Sequence, residues 1–213
     1  MINENIISYK LNNNNIIEFN IENEYFENLI NNIKSFGQFK TQNIHIDSLI
    51  IKNEVELEKL KNLLSSRVKI NKIKLLFRKS RDGLNLNTLK AKINNKSNLI
   101  FLFLTGNTRI FGSFISAKIE VEHKKYIKDK NAFVFSLNNN KIYKILIPDN
   151  AIYFYEEYPI LIGANWHGNG FWIFKGVFNE HLLESPKIYD FKKDNELTEG
   201  KIELNELEIF EIN

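Results

Sequence analysis

Apolar residues recur in two rhythms along the chain, and the change between them falls near residue 70. Before it, Phe26, Leu29, Ile30, Ile33 and Phe36 stand three or four positions apart, which sets them on one face of a helix that Gly37 would stop. Leu57, Leu60, Leu63 and Leu64 repeat the pattern behind Asn53 and Glu56, whose separation reads as a capping box. A leucine stripe at this spacing predicts a helix packed on a core rather than one held out for a partner. Residues 16–21 read as a strand. From Ile70 onward short strands dominate: 75–77, 99–104 and 110–115 as a hairpin around Gly106-Asn107, 132–137 and 141–147 around three asparagines, 151–155, 171–174, and 202–212 broken near Asn205. Asn85 caps a helix over residues 86–93.

Many short strands with two or three helices predict an α+β, mainly β class, namely a two-sheet antiparallel β-sandwich with flanking helices. The change of rhythm divides the chain into an N-terminal extension, residues 1–69, whose strands and helices pack on the domain, and the domain itself at 70–213. A chain of 213 residues with 43% hydrophobic and 13% aromatic content buries a substantial core.

Charge adds a feature that the pattern of apolar positions does not show. The net charge is only +3, yet residues 67–130 carry 16 Lys and Arg against 4 Asp and Glu, and the remainder carries 13 against 22. Such a split marks a binding face or two solvated faces that neutralise each other. Asn runs accompany heavy use of Ile and Lys, which is a genome-composition signature and weak functional evidence. The absence of cysteine removes disulfides, thiolate metal sites and a Cys nucleophile, and fits a reducing compartment. No charged-then-apolar leader and no apolar run of spanning length is present, so the expected location is cytoplasmic without membrane insertion.

Candidate chemistry is sparse. Ser80, Arg81 and Asp82 lack a histidine placed by any motif, so no nucleophile and base are paired. Asp82-Gly83 is a turn signal, with Asp closing an Asx-turn and Gly taking positive φ. Arg81 presents a fork that binds a carboxylate bidentately. The stretch Gly163-Ala-Asn-Trp-His-Gly-Asn-Gly170 lacks the Gly-Lys-Ser/Thr ending of a P-loop and leads into a strand, so it reads as a close backbone approach that displays Trp166 and His167. Isolated histidines predict no metal site. Lys72, Lys74, Arg78, Lys79 and Arg81 interleave with aromatics, but no RNP, KH or zinc-finger pattern accompanies them, which disfavours nucleic acid.

Five blocks in order carry a family resemblance: residues 74–83, 109–116, 131–137, 162–173 and 206–212. Together they resemble the TLDc domain over roughly residues 70–213, and Gly83, Gly112 and Gly163 fall where that family's pattern is most recognisable, as structural positions. The chain departs from the pattern after Ala117, where Lys118-Ile119 replaces a usual Trp, and at Gly170, where an acidic residue is usual. The resemblance implies a two-sheet sandwich with flanking helices, no catalytic residues and a link to protection against oxidative damage. Several members bind the vacuolar-type proton ATPase and regulate it. The expectation is therefore a non-enzymatic regulatory subunit without cofactor or metal. Arg81, Asp82, Trp166 and His167 would face soluble-sector subunits of that pump, with the protein cytoplasmic or peripheral on the membrane-bound complex. The other readings are a structural subunit of a different large assembly and a stress-protective enzyme. With no Cys and one Met, thiol peroxide chemistry is not open to the latter.

Overall fold

The computed structural model describes residues 6–10, 16–20, 46–122, 124–156, 159–163, 170–174, 177–181, 188–192, 196–198 and 202–213. Two compact units are present, residues 1–43 and 44–213. In the first, β1 (Ile6–Lys10) and β2 (Ile16–Asn20) form an antiparallel pair in which Ile6 faces Asn20 and Lys10 faces Ile16. The helical pattern around Phe26 and Phe36 lies outside the described residues.

The second unit opens with α1 (Glu54–Ser65). Asn53 Oδ1 accepts the Glu56 amide at 2.9 Å, and the Glu56 carboxylate reaches back to the Lys52 amide at 2.7 Å, one residue earlier than a capping box requires. Leu57, Leu60 and Leu64 are buried, each contributing about 1.5–3 kcal/mol of apolar burial. Then follow β3 (Ile73–Arg78), α2 (Lys79–Asp82), α3 (Leu86–Ile93), β4 (Leu99–Thr105) and β5 (Ile110–Ile115). The remaining strands are β6 (Lys125–Ile127), β7 (Phe133–Ser136), β8 (Lys141–Lys144), β9 (Ile152–Phe154), β10 (Leu161–Ile162), β11 (Gly170–Phe174), β12 (Val177–His181) and β13 (Ile202–Ile212). β8 stops short of Ile147 because Asp190 Oδ1 takes the Lys144 amide at 2.6 Å and Ile145 bridges to Tyr189 instead.

The strands pair antiparallel in the order β6-β9-β10-β11-β12-β13-β4-β5-β7-β8, with β3 also on β13. Two layers result, and β13 belongs to both: Ile202 and Glu203 pair with β12, whereas Leu204 and the residues after it pair with β4, with a register shift between Leu204 and Glu206. Ile127, Ile152, Phe154 and Ile162 from one layer share a core with Phe101, Phe103, Phe111, Val134, Leu207 and Ile209 from the other. Ile119 is fully buried in that core.

The other face of the β4 layer is also covered. Ile100, Leu102, Phe114, Phe133, Phe135 and Phe210 pack with Ile50, Leu57, Leu60 and Leu64 in a second cluster. Burial on both faces explains why β4 reads as a continuous apolar run rather than an alternation. The close packing is visible at Gly112, which faces Phe135 across the ladder. A Cβ there would lie 2.4 Å from both the Phe101 carbonyl oxygen and Phe135 Cζ, so the aromatic ring occupies the space that the glycine leaves.

Candidate interaction site at the Arg78–Gly83 turn

The turn after β3 is fastened to β13 at successive residues. Arg78 Nε donates to Glu208 Oε1 at 2.7 Å, and its Nη2 donates to the Asp47 side chain and carbonyl at 2.8 and 3.0 Å. Lys79 Nζ donates to the carbonyls of Leu204 and Asn205 at 2.9 and 3.2 Å, where the register shift turns them away from the ladder. The Ser80 amide donates to Glu206 Oε1 at 3.1 Å. The two β13 carboxylates that anchor the turn, Glu206 and Glu208, are buried, Glu208 completely.

Glu208 also collects the segment before α1. Its Oε1 accepts the Leu49 amide at 2.8 Å and its Oε2 accepts the Ser48 hydroxyl, whose Oγ in turn accepts the Ile50 and Ile51 amides at 3.0 and 2.9 Å. One carboxylate thus ties three separate stretches of chain together. Burial pulls the Arg78 pKa down, but the hydrogen bonds to Asp47 and Glu208 outweigh it and leave the guanidinium more firmly charged than usual.

Arg81 and Asp82 form the outer part of the turn. Arg81 Nε and Nη2 meet Asp82 Oδ1 and Oδ2 at 3.0 and 2.7 Å, a bidentate pair between neighbours, and Nη2 also reaches the Leu76 carbonyl at 3.2 Å. Asp82 Oδ2 accepts the Arg78 amide at 2.9 Å and Oδ1 lies 3.3 Å from Lys92 Nζ. The sequence pattern suggests an Asx-turn running forward from Asp82; the carboxylate instead turns back over α2. The Arg81 hydrogen bonds hold the Asp82 carboxyl well below the usual carboxylate range, and the Arg78 amide and Lys92 add to this against the opposing effect of burial. The Arg81 side chain is 45% exposed and that of Asp82 is 8% exposed, so the surface presents a cation whose counter-ion lies beneath it. Gly83 closes the turn at φ 75° and ψ 146°, a region essentially reserved for glycine.

The other positions singled out by sequence lie elsewhere. Gly163 has φ +66°, and a Cβ on it would come within 2.8 Å of the Tyr189 ring. Trp166 and His167 lie outside the described residues. Among the described residues no group of three or more His, Asp or Glu could hold a metal ion, and no helix is long and apolar enough to cross a membrane. Sequence spacing gives no hint of Glu206, Glu208 and Asp47, the anchors of this turn; the only available signal is a glutamate at alternate positions in a strand that otherwise reads as core.

A comparison with curated proteins finds no match. The family model of the TLDc domain matches residues 45–213, which takes in α1, the turn and every strand of the sandwich. The chain belongs to the TLDc domain family.

Proposed function

We propose that the chain is a non-catalytic protein-interaction module that binds the soluble sector of a vacuolar-type proton ATPase, regulates it, and through it supports resistance to oxidative stress. The observation that supports this reading is the anchored turn. Hydrogen bonds to β13 hold Arg78, Lys79 and Ser80, while Arg81 stands 45% exposed, aligned by Asp82. A guanidinium oriented in advance by its own carboxylate loses little freedom on meeting a partner, and Arg is enriched among residues that dominate interfaces. Arg81 is assigned here as a partner contact together with Trp166 and His167, and Asp82 as the carboxylate that aligns it from beneath. Gly83, Gly112 and Gly163 are assigned to the scaffold.

The test is mild affinity purification of tagged chain from native lysate, with partners identified and counted by mass spectrometry. Recovery of stalk or catalytic-head subunits, reduced by Arg81→Ala in a chain that remains folded at the assay temperature, supports the reading. A stoichiometric complex without pump subunits replaces it with a structural role in another assembly, and peroxide consumption by purified protein that survives metal chelation replaces it with an enzyme.

A further inference from the structure

The cations of residues 67–130 are gathered rather than scattered. The register of β3 on β13 sets Lys74 opposite Glu211, and Glu211 receives Lys96 Nζ at 3.4 Å. The Lys96 carbonyl accepts the Ile119 amide at 2.7 Å, which brings Lys118 alongside. On the other side of α3, Lys92 reaches Asp82, already held by Arg81. Lys72, Lys74, Arg81, Lys90 and Lys92 are all exposed, whereas the side chains of the carboxylates paired with this group, Asp82 and Glu211, are only 8% and 19% exposed. The rim therefore offers positive charge outward and keeps its counter-charges underneath.

This rim borders a strand with an open side. β3 pairs with β13, and among the described residues no strand pairs with its other edge. Lys72 exchanges both main-chain bonds with Asn213, at 3.0 and 3.1 Å. Antiparallel alternation then turns the Lys74 backbone toward β13 and the N–H and C=O groups of Ile73 and Leu75 toward the open side. The ladder shifts between Phe77 and Leu75, leaving Leu76 unpaired in the register, and the Leu76 carbonyl is taken by Arg81 Nη2. Among the described residues the edge is thus closed at the turn and open at Ile73 and Leu75.

We propose that this edge docks an extended acidic segment of a partner protein, which adds a strand to β3 through Ile73 and Leu75 and lays its carboxylates against Lys72, Lys74, Lys92 and Lys96. The open main-chain edge is what favours a polypeptide. A phosphate-bearing lipid surface or nucleic acid would meet the lysines but offers no alternating N–H and C=O groups to match the strand. In an added strand alternate residues share a face, so the preferred segment carries acidic residues at every second position. The inference rests on reading the chain as a protein-interaction module, and not on the pump being its partner.

The experiment measures binding of a labelled alternating Glu-Val dodecapeptide to the purified full chain by fluorescence anisotropy, beside an oligoglutamate of equal charge and vesicles of phosphatidylcholine with phosphatidylserine. The alternating peptide is expected to bind best and to slow amide exchange at Ile73 and Leu75. The Lys72→Glu/Lys74→Glu variant should weaken it about tenfold or more, roughly 1.4 kcal/mol. Leu75→Pro removes an outward N–H together with a leucine side chain packed on the second core cluster and should weaken it comparably, with Leu75→Val as the folded control that keeps the N–H and binding. Should Leu75→Pro not fold, the exchange measurement on the unaltered chain decides. Equal binding of both peptides without protection at Ile73 and Leu75, or preference for vesicles over either peptide, overturns the proposal. Peptide binding without recovery of pump subunits keeps the docking edge and assigns it to a different protein. Undiminished peptide binding by Lys72→Glu/Lys74→Glu refutes the edge and leaves the pump reading standing.

Discussion

Removing the Glu208 carboxylate is expected to loosen one corner of the domain before the rest. Glu208 is fully buried and receives Arg78 Nε at 2.7 Å, the Leu49 amide at 2.8 Å and the Ser48 hydroxyl. Glu208→Ala leaves Arg78, whose side chain is 12% exposed, with Asp47 as its remaining carboxylate. Breaking a buried pair by deleting one partner costs about 3–5 kcal/mol, and the stranded Ser48 and Leu49 donors are part of that figure, since water entering the vacated space would partly satisfy them. Glu208→Gln keeps the volume and an acceptor oxygen but loses the charge, for about 1.5–3 kcal/mol, the range of hydrogen bonds to charged groups. At about 2–4 °C per kcal/mol for a domain of this size, Glu208→Ala should lower the melting temperature by roughly 6–20 °C and Glu208→Gln by roughly 3–12 °C. Thermal melts followed by circular dichroism measure the total, and hydrogen exchange locates it: the amides of Leu49, Ile50 and Ile51 should exchange fastest relative to the unaltered chain. In a cycle with Arg78→Met, the double variant should lose less than the sum of the singles, because neither charge of the buried pair is left facing an empty site. A Glu208→Gln melt within about 1 °C of the unaltered chain, or unchanged exchange at residues 49–51 in Glu208→Ala, would refute the reasoning.

Asp82→Asn should destabilise the domain at neutral pH. Because the folded carboxyl titrates below its unfolded value of about 3.9, the stabilisation it brings is present above that value and is lost as pH falls through the folded pKa. The stability difference between the two proteins should therefore be constant above about pH 5, shrink below it, and be seen in urea titrations over that range. Among the glycines, Gly83→Ala should cost about 1–3 kcal/mol from backbone strain alone, since open space surrounds the position. Gly163→Ala should cost more in the same thermal melts, as a new methyl group meets the Tyr189 ring there in addition to strain.

The local elements were readable from sequence where a single rhythm dominated. The capping pair at Asn53 and Glu56, the stripe of Leu57, Leu60 and Leu64, and the break near Asn205 all have counterparts in α1 and in the register shift of β13. Short strands such as β6 and β10 are not legible in the sequence because two or three residues carry no measurable period. The continuous run in β4 left its environment undetermined, since burial by two layers and burial inside one helix look alike in sequence. The turn signal at Asp82-Gly83 was legible because backbone chirality restricts which residue stands at Gly83, whose φ is +75°. What surrounds that turn was not legible. Arg78 and Glu208 are 130 positions apart, and nothing local distinguishes a glutamate sealed under Arg78 from one in water.

The position of β13 also sets a timetable. It lies between β3 and β4 in space, yet of all the domain's strands it leaves the ribosome last. Synthesis at about 5–20 residues per second puts roughly 6–26 s between Arg78 and Glu208. During that interval β3 and β4 have no common neighbour, the turn at residues 78–83 lacks both carboxylates that anchor it, and the two layers lack the strand they share. Closure of the sandwich is consequently a late, long-range event, and a nascent chain that has emitted β4 through β12 still shows uncovered strand edges to whatever chaperones surround the tunnel exit.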